Sequence, residues 1–461
     1  MDTQVFRGPQ ALADYLRPDV ERYTPLCELP AALNPFLETN DVHVYVKLLN
    51  TLPLANVKSI PAWNMLERTD TNLHGMNVVE SSSGNTVFSL GILAGHFGVK
   101  KVRAVASKDV SRGKLNLLRL AGIDVQVVDG PLCPSPNDPK SSITIAAMQG
   151  RQSGWYNPGQ YDNDANPEAH MRYTGPQIFA QLEGGISMFV AGLGTTGTLV
   201  GTARYLRRHK PDVTIVGAVR APNNAVPGVR TENGLDEVAF DWKESVTTKL
   251  VRVNEYESYE KSLALIRQGL LVGPSAGFAY AATLKHLAAL KAAGHLDTLR
   301  GKNVVFIAPD SMFPYVDEYF AVLGPHYFGA IDDQSSGEYK EATSELGGVA
   351  ELSVDDVYDD YDMRRDEPQS RHYQIVDIRE PSEYLDHHLP DSINVPLDEL
   401  DEWLEKASPD KPLVFVCRRG STSLRAAKQA SQKDFQSFSM TGGTAEWSDK
   451  DYPRVRPLFC Q

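Results

Sequence analysis

A chain of 461 residues is too long for one ordinary core and suits two or three domains. Hydrophobic residues at 42% and charged residues at 23% are those of a soluble globular protein, and no apolar run approaches the roughly 18 residues needed to span a bilayer. A formal net charge of -13 argues against broad binding to nucleic-acid phosphates and leaves room only for local anion pockets.

The opening MDTQVFRGPQ has no basic stretch followed by an apolar one, so the cytoplasm is the expected location and no membrane partner is expected. Up to about Gly329 short apolar runs alternate with helical patterns: VHVYVKLL, VRAVAS, DVQVVD, MFVAGLG, TIVGAV and NVVFIAP. Near-continuous Val, Ile, Ala and Phe suit strands covered on both faces, with crossover helices between them. The expectation is an α/β domain with a mainly parallel sheet over residues 1–329.

Residues 330–348 are polar and poor in aliphatics, which predicts a linker. A flexible chain of about twenty residues has an r.m.s. span of roughly 25 Å. A second, smaller α/β domain is expected over 349–461. It would hold a strand in YQIVDIR, another around SINVP, a third in PLVFVC and a helix starting near Thr422. The cysteines Cys27, Cys133, Cys417 and Cys460 are too far apart for a CxxC metal site or a dense disulfide framework, and no metal is expected.

Three glycine-bearing segments, SSSGNT (Ser81 to Thr86), GLGTTGT (Gly192 to Thr198) and GPSAG (Gly273 to Gly277), lie beside apolar strands or open helical patterns. Such turns at helix N-termini offer clustered backbone N–H groups to an anion. With NVKSIPA (Asn56 to Ala62), the TPL at Thr24 to Leu26, YDNDANPEAH (Tyr161 to His170), TGPQI (Thr174 to Ile178) and APDS (Ala308 to Ser311), they resemble one family over roughly residues 10 to 325. It is the fold-type II pyridoxal-phosphate family of O-acetylserine sulfhydrylase and cystathionine β-synthase.

The resemblance implies an enzyme with pyridoxal 5'-phosphate as cofactor and an amino acid as substrate. Lys58 would form the internal aldimine and then act as base at Cα, a task that suits a partly desolvated amine. Asn85 would meet the cofactor's 3'-oxygen. Gly194, Thr195, Thr196, Gly197 and Thr198 would cradle its phosphate, with Thr196 standing where the family usually has glycine. Ser275 would meet the pyridine nitrogen, and a hydroxyl there, unlike a carboxylate, does not hold that nitrogen protonated, so β-elimination to an α-aminoacrylate is favoured. Ser82, Ser83, Gly84, Thr86 and Gln160 would hold the substrate carboxylate. The family commonly dimerises, so a homodimer is expected.

The segment PGVRTENGLDEV (Pro227 to Val238) is closer to the arginine-bearing loop of O-phosphoserine-using members than to the glycine-alanine segment of acetylserine enzymes. Arg230 is the candidate for the substrate phosphate and Arg220 a weaker one, because a planar guanidinium suits bidentate anion binding. SSSGNT and GTTGT also resemble a phosphoserine-using relative that makes 2,3-diaminopropionate, so nitrogen is a rival nucleophile.

Downstream, DIRE (Asp377 to Glu380), EYLDHHLPDSINVP (Glu383 to Pro396) and GGTAEW (Gly442 to Trp447) surround Cys417 and resemble the framework of rhodanese-like sulfurtransferases over about residues 350 to 457. In that family the cysteine heads a loop beside a helix N-terminus, which stabilises a thiolate and then a persulfide. Here the loop is Cys417, Arg418, Arg419, Gly420, Ser421 and Thr422, with Thr422 where the family often has arginine. The fusion implies that Cys417 takes sulfur from a donor and passes it to the first domain to make cysteine or its persulfide. Reverse flow, from cleavage of a sulfur amino acid, and a docking role for the second domain stay open. Cys27 and Cys133 carry no motif, and Cys460 reads as a tail residue, with a resolving thiol as the alternative.

Overall fold

The computed structural model describes residues 4–108, 110, 112–129, 138–222, 224–236, 238–324, 327–329, 349–365, 367, 370–408 and 411–455. The expected linker 330–348 and the thiols Cys133 and Cys460 lie outside the described residues. Internal contacts divide the chain into two compact units, Met1–Phe328 and Gly329–Gln461.

In the first unit a six-stranded sheet runs in the order Leu26–Glu28, Val42–Leu48, Lys302–Ala308, Ile186–Gly192, Thr214–Arg220, Val251–Val253. Only the first pair is antiparallel. Successive side chains in a strand face opposite ways, and both faces are apolar. Val304 and Phe306 join Val44, Val46, Met188 and Val190 in one core, while Val305 and Ile307 join Phe189, Ala191 and Ile215 in the other. Burial on both sides explains the unbroken aliphatic runs, each large side chain contributing roughly 1.5–3 kcal/mol.

A four-stranded parallel sheet, Asp124–Val128, Lys101–Ser107, Asn77–Ser81 and Trp155–Tyr156, completes this unit. Asn77–Ser81 carries no alternating signature and ends in Glu80 and Ser81, whereas Leu26–Glu28, Trp155–Tyr156 and Val251–Val253 are too short to show a period. In parallel sheets, ligand sites form beyond the carboxyl ends of the strands. The segments singled out from the sequence sit there: Ser82 to Thr86 after Ser81, Leu193 to Thr198 after Gly192, and Pro309 to Ser311 after Ala308.

The second unit holds a five-stranded, all-parallel sheet in the order Ala350–Leu352, Ser437–Met440, Leu413–Val416, Gln374–Asp377, Ile393–Asn394. Cys417 follows the central strand Leu413–Val416, and the helix Ser421–Ser431 follows the cysteine. Trp447 is fully buried and donates its indole N–H to the Pro453 carbonyl at 2.8 Å, which anchors the GGTAEW segment.

Candidate active site

Lys58 directly precedes the helix Ser59–Glu67. Its segment is clipped to the end of strand Lys302–Ala308: Val57 N–H donates to Pro309 O at 2.6 Å, and Asn56 bridges Asp310. The whole residue is only partly buried, yet desolvation of the amine lowers its pKa from 10.5 to about 8, with Asp310's negative charge opposing the shift. A pKa lowered to this extent leaves a usable share of the amine unprotonated near neutral pH, able both to condense with a carbonyl and to take a proton.

Asp310 gathers two other expected cofactor residues. Its carboxylate, 3% exposed, accepts from Asn85 Nδ2 at 2.7 Å, from Ser275 Oγ at 3.0 Å and from the Tyr315 hydroxyl at 2.5 Å. Ser275 lies in the first turn of the helix Pro274–Ala292, whose Pro274 opens the helix where no N–H is needed. The APDS segment contains Asp310, but spacing alone does not reveal that residues 85, 275 and 315 converge on it.

The Gly194 to Thr198 loop leads into the helix Gly197–His209, whose first N–H groups lack partners within the helix and whose dipole favours an anion. An added Cβ would strike the Gly228 carbonyl at Gly194 and the Asn166 amide at Gly197, so both glycines are required by neighbouring backbone and side chain. Thr196 is left-handed, φ 69°, a conformation that glycine adopts freely and a β-branched residue rarely does. Its buried hydroxyl oxygen and Asn166 Oδ1 find no hydrogen-bond partner among the described residues. An unpartnered buried hydroxyl at a helix N-terminus fits a phosphate. Thr198 Oγ1 lies 3.2 Å from His170 Nε2, and His170 Nδ1 lies 2.9 Å from Thr174 Oγ1. Burial, aided by the Lys58 charge, lowers the His170 pKa to about 3, so this imidazole is neutral.

Around the carboxylate segment, Thr86 Oγ1 donates to Gln160 Oε1 at 2.7 Å and Gln160 Nε2 donates to Ser81 O at 2.8 Å. Ser82, Ser83 and Gly84 form the partly exposed turn before the helix Asn85–Leu93. Sequence reasoning passed over Glu80, which braces this turn by accepting from the backbone N–H groups of Ser81, Gly159 and Gln160. Burial raises its pKa to about 7. An acidic residue inside the run NVVES was the available signal.

Arg230 is 5% exposed, with its guanidinium 5.2 Å from the Tyr161 ring centroid and a 3.3 Å bond to Gly234 O. Its own N–H donates to Leu193 O at 2.8 Å, which ties the arginine segment to the Gly194 loop. Glu232 and Asp236 are engaged elsewhere, with Arg252 and Lys243. Arg220, further along the same ladder, donates to the Asn224 carbonyl.

In the second unit Cys417 is buried and its Sγ accepts the Gly420 N–H at 3.1 Å. The sulfur also lies 3.5 Å from Ser423 Oγ. Gly420 has φ 96° and precedes Ser421, so a left-handed turn folds the loop back toward the sulfur at the helix start. Thr444 and Ala445 donate their N–H groups to the carbonyls of Cys417 and Arg418, both at 2.9 Å. A Cβ at Gly443 would strike the Cys417 carbonyl, which accounts for glycine in GGTAEW. Arg418 is exposed and Arg419 partly so, while Thr422 lies in the first turn of the helix. Asp377 and Arg379 of DIRE form a buried forked pair, with Nε to Oδ1 at 2.9 Å and Nη2 to Oδ2 at 2.6 Å. Arg379 also reaches the His387 carbonyl at 2.8 Å, so DIRE braces the domain. Cys27 is a partly buried free thiol, and no cluster suited to a metal occurs among the described residues.

Comparison with known proteins separates the same two parts. The family described as pyridoxal-phosphate dependent enzyme matches residues 18–310, and the rhodanese-like domain matches residues 360–450. Cysteine synthase of Staphylococcus aureus is 30% identical over 290 residues, 60% of this chain and 89% of that protein. Cysteine synthase B of Pseudomonas aeruginosa is 30% identical over 246 residues, 52% of this chain and 79% of its own length. The solved structure of O-ureido-L-serine synthase superposes with a TM-score of 0.55 at 25% identity, over 67% of this chain and 95% of that one. O-acetylserine sulfhydrylase isoform 3 of Entamoeba histolytica shares the fold, with a TM-score of 0.53 at 24% identity over 64% of this chain and 87% of that one.

Proposed function

Since the chain belongs to the pyridoxal-phosphate dependent enzyme family and joins a cysteine synthase-like part to a rhodanese-like domain, we propose that it replaces the phosphate of O-phosphoserine with sulfur carried by Cys417. Bound pyridoxal phosphate supplies an electron sink that lets the substrate lose its Cα proton and its β-substituent. Lys58 holds the cofactor and moves the Cα proton, a role supported by its lowered pKa. Thr196, Thr198 and the start of the helix Gly197–His209 bind the cofactor phosphate, while neutral His170 orients the Thr198 hydroxyl. The turn from Ser82 to Thr86, braced by Glu80 and Gln160, takes the substrate carboxylate.

The phosphate preference is supported by the place of Arg230, whose segment is tied to the Gly194 loop and whose planar guanidinium, beside Tyr161, suits bidentate anion binding. At Cys417 the thiolate attacks the outer sulfur of a sulfane donor such as thiosulfate. An S–S bond forms to the cysteine and sulfite leaves. A thiol reductant then cleaves that bond, and the released sulfide enters the β-replacement, giving cysteine and phosphate.

The decisive assay compares O-phosphoserine with O-acetylserine in wild type and Arg230→Ala, using free sulfide. Losing a charge-assisted contact should lower kcat/KM for the phosphorylated substrate alone, by roughly 10- to 100-fold. Equal losses for both substrates would return Arg230 to a purely structural role.

A further inference from the structure

On the reading above, on which this inference rests, the first unit holds two anion sites: Gln160 and the turn Ser82 to Thr86 for the substrate carboxylate, and the Gly194 to Thr198 loop for the cofactor phosphate. Asn166 touches both supports. It is 1% exposed and lies in the first turn of the helix Ala165–Arg172. Its Nδ2 donates to the Gln160 carbonyl at 2.7 Å and to Thr195 Oγ1 at 3.2 Å, which uses both hydrogens of the amide nitrogen. A backbone carbonyl only accepts, so the bond to Gln160 fixes which way the amide faces. Oδ1 meanwhile finds no hydrogen-bond partner among the described residues. An unmet buried acceptor is costly, and here it accompanies two donors that are both engaged.

The surroundings leave this amide little freedom. Asn64, in the helix Ser59–Glu67 that follows Lys58, donates to the Ala165 carbonyl at 2.7 Å and pins the start of Asn166's helix. That helix lies hard against Gly197–His209. A Cβ at Gly197 would come within 2.2 Å of Asn166 Oδ1, and one at Gly201 within 1.9 Å of the Pro167 carbonyl. Gln160 is held from its other side, its N–H by Glu80 at 3.2 Å and its Nε2 by the Ser81 carbonyl at 2.8 Å. One Nε2 hydrogen then remains for a ligand. Glu80 and Ser81 belong to the four-stranded sheet, whereas Thr195 follows a strand of the six-stranded one. One amide therefore ties together the ligand-binding ends of both sheets, and a connected buried network of this kind is rigid.

We infer that Asn166 is a positioning residue that holds Gln160 and Thr195 at a fixed separation, so that the substrate-carboxylate site and the cofactor-phosphate site share one support. Asn166 itself touches neither ligand. Its loss loosens both sites at once and leaves the proton transfer at Lys58 unaltered.

The test compares wild type with Asn166→Ala in two measurements. Titration of the apoprotein with pyridoxal phosphate and with pyridoxal, followed by absorbance, gives the preference for the phosphate without any turnover. Steady-state kinetics at saturating cofactor and sulfide give KM and kcat for the activated serine. The preference should fall and KM should rise, each roughly 2- to 10-fold, as for the loss of one hydrogen bond. With kcat unchanged, the loss is one of uniform binding. Thr195→Val cuts the same bond from its other end, so its effect on the preference should not add to that of Asn166→Ala in the double variant. Loss at one site only, a fall in kcat with KM unchanged, or additive losses overturn the inference. Should Asn166→Ala fail to fold, Asn166→Ser decides in its place, since its hydroxyl is too short to reach both partners. Wild type that shows no preference for the phosphate, or turns over neither O-phosphoserine nor O-acetylserine, would refute the reading of the two sites. Wild-type behaviour that survives unaltered in the variant refutes only the role of Asn166.

Discussion

Replacing Thr196 with glycine should push protein stability and cofactor affinity in opposite directions. Thr196 holds φ at 69° immediately before the helix Gly197–His209. A left-handed conformation costs an L-residue with a side chain roughly 1–2 kcal/mol. Glycine avoids that strain but gives up more backbone freedom on folding, roughly 0.5–1 kcal/mol. The cofactor-free protein should therefore gain up to about 1.5 kcal/mol from Thr196→Gly, the difference of those two terms. Against this, the buried Thr196 hydroxyl has no partner among the described residues and is free to donate to a phosphate. Removing a hydrogen bond to a charged group costs roughly 1.5–3 kcal/mol, so half-saturation of the apoprotein should require roughly 10- to 100-fold more pyridoxal phosphate. Chemical unfolding of the apoprotein gives the first quantity, and a titration followed by cofactor absorbance gives the second. An apoprotein weakened by the substitution would refute the strain argument. An unchanged half-saturation point would show that Thr196 does not face the phosphate.

Lys58→Ala should yield protein with no borohydride-trappable cofactor, and trapping at any other lysine would reassign the site. Cys417→Ser should keep turnover with free sulfide and lose it with thiosulfate, because serine cannot hold a transferable sulfur; an undiminished thiosulfate rate would make the second domain a docking module. Glu80 has a folded pKa of about 7 against an ordinary 4.5, so the stability linked to it is complete at low pH and is lost as pH rises through about 7. Glu80→Gln should flatten the fall in unfolding midpoint between about pH 4.5 and pH 7, and an unchanged slope would contradict the assigned shift.

The two α/β parts were legible in the sequence because their strands are covered on both sides. Val304 and Phe306 point into one core and Val305 and Ile307 into the other, so the run NVVFIAP is unbroken. The glycine segments and Cys417 were legible for a related reason. A left-handed turn such as Gly420, or a close approach such as Gly194 to Gly228, leaves a local mark in residue type. These constraints act within a few residues and depend on side-chain size and hydration, both of which a sequence displays directly.

Polarity inside the site left no such mark. Nothing in the spacing of Asn85, Ser275, Asp310 and Tyr315 tells that one carboxylate orders the other three groups, and nothing in the run NVVES tells which backbone groups Glu80 will brace. Arg230 reads from sequence as an anion-binding candidate, but its burial arises only when its segment pairs with Leu193 and packs near Tyr161. Hydrogen-bond direction and desolvation belong to groups brought together from distant parts of the chain. They arise only once the strands have set their carboxyl ends side by side.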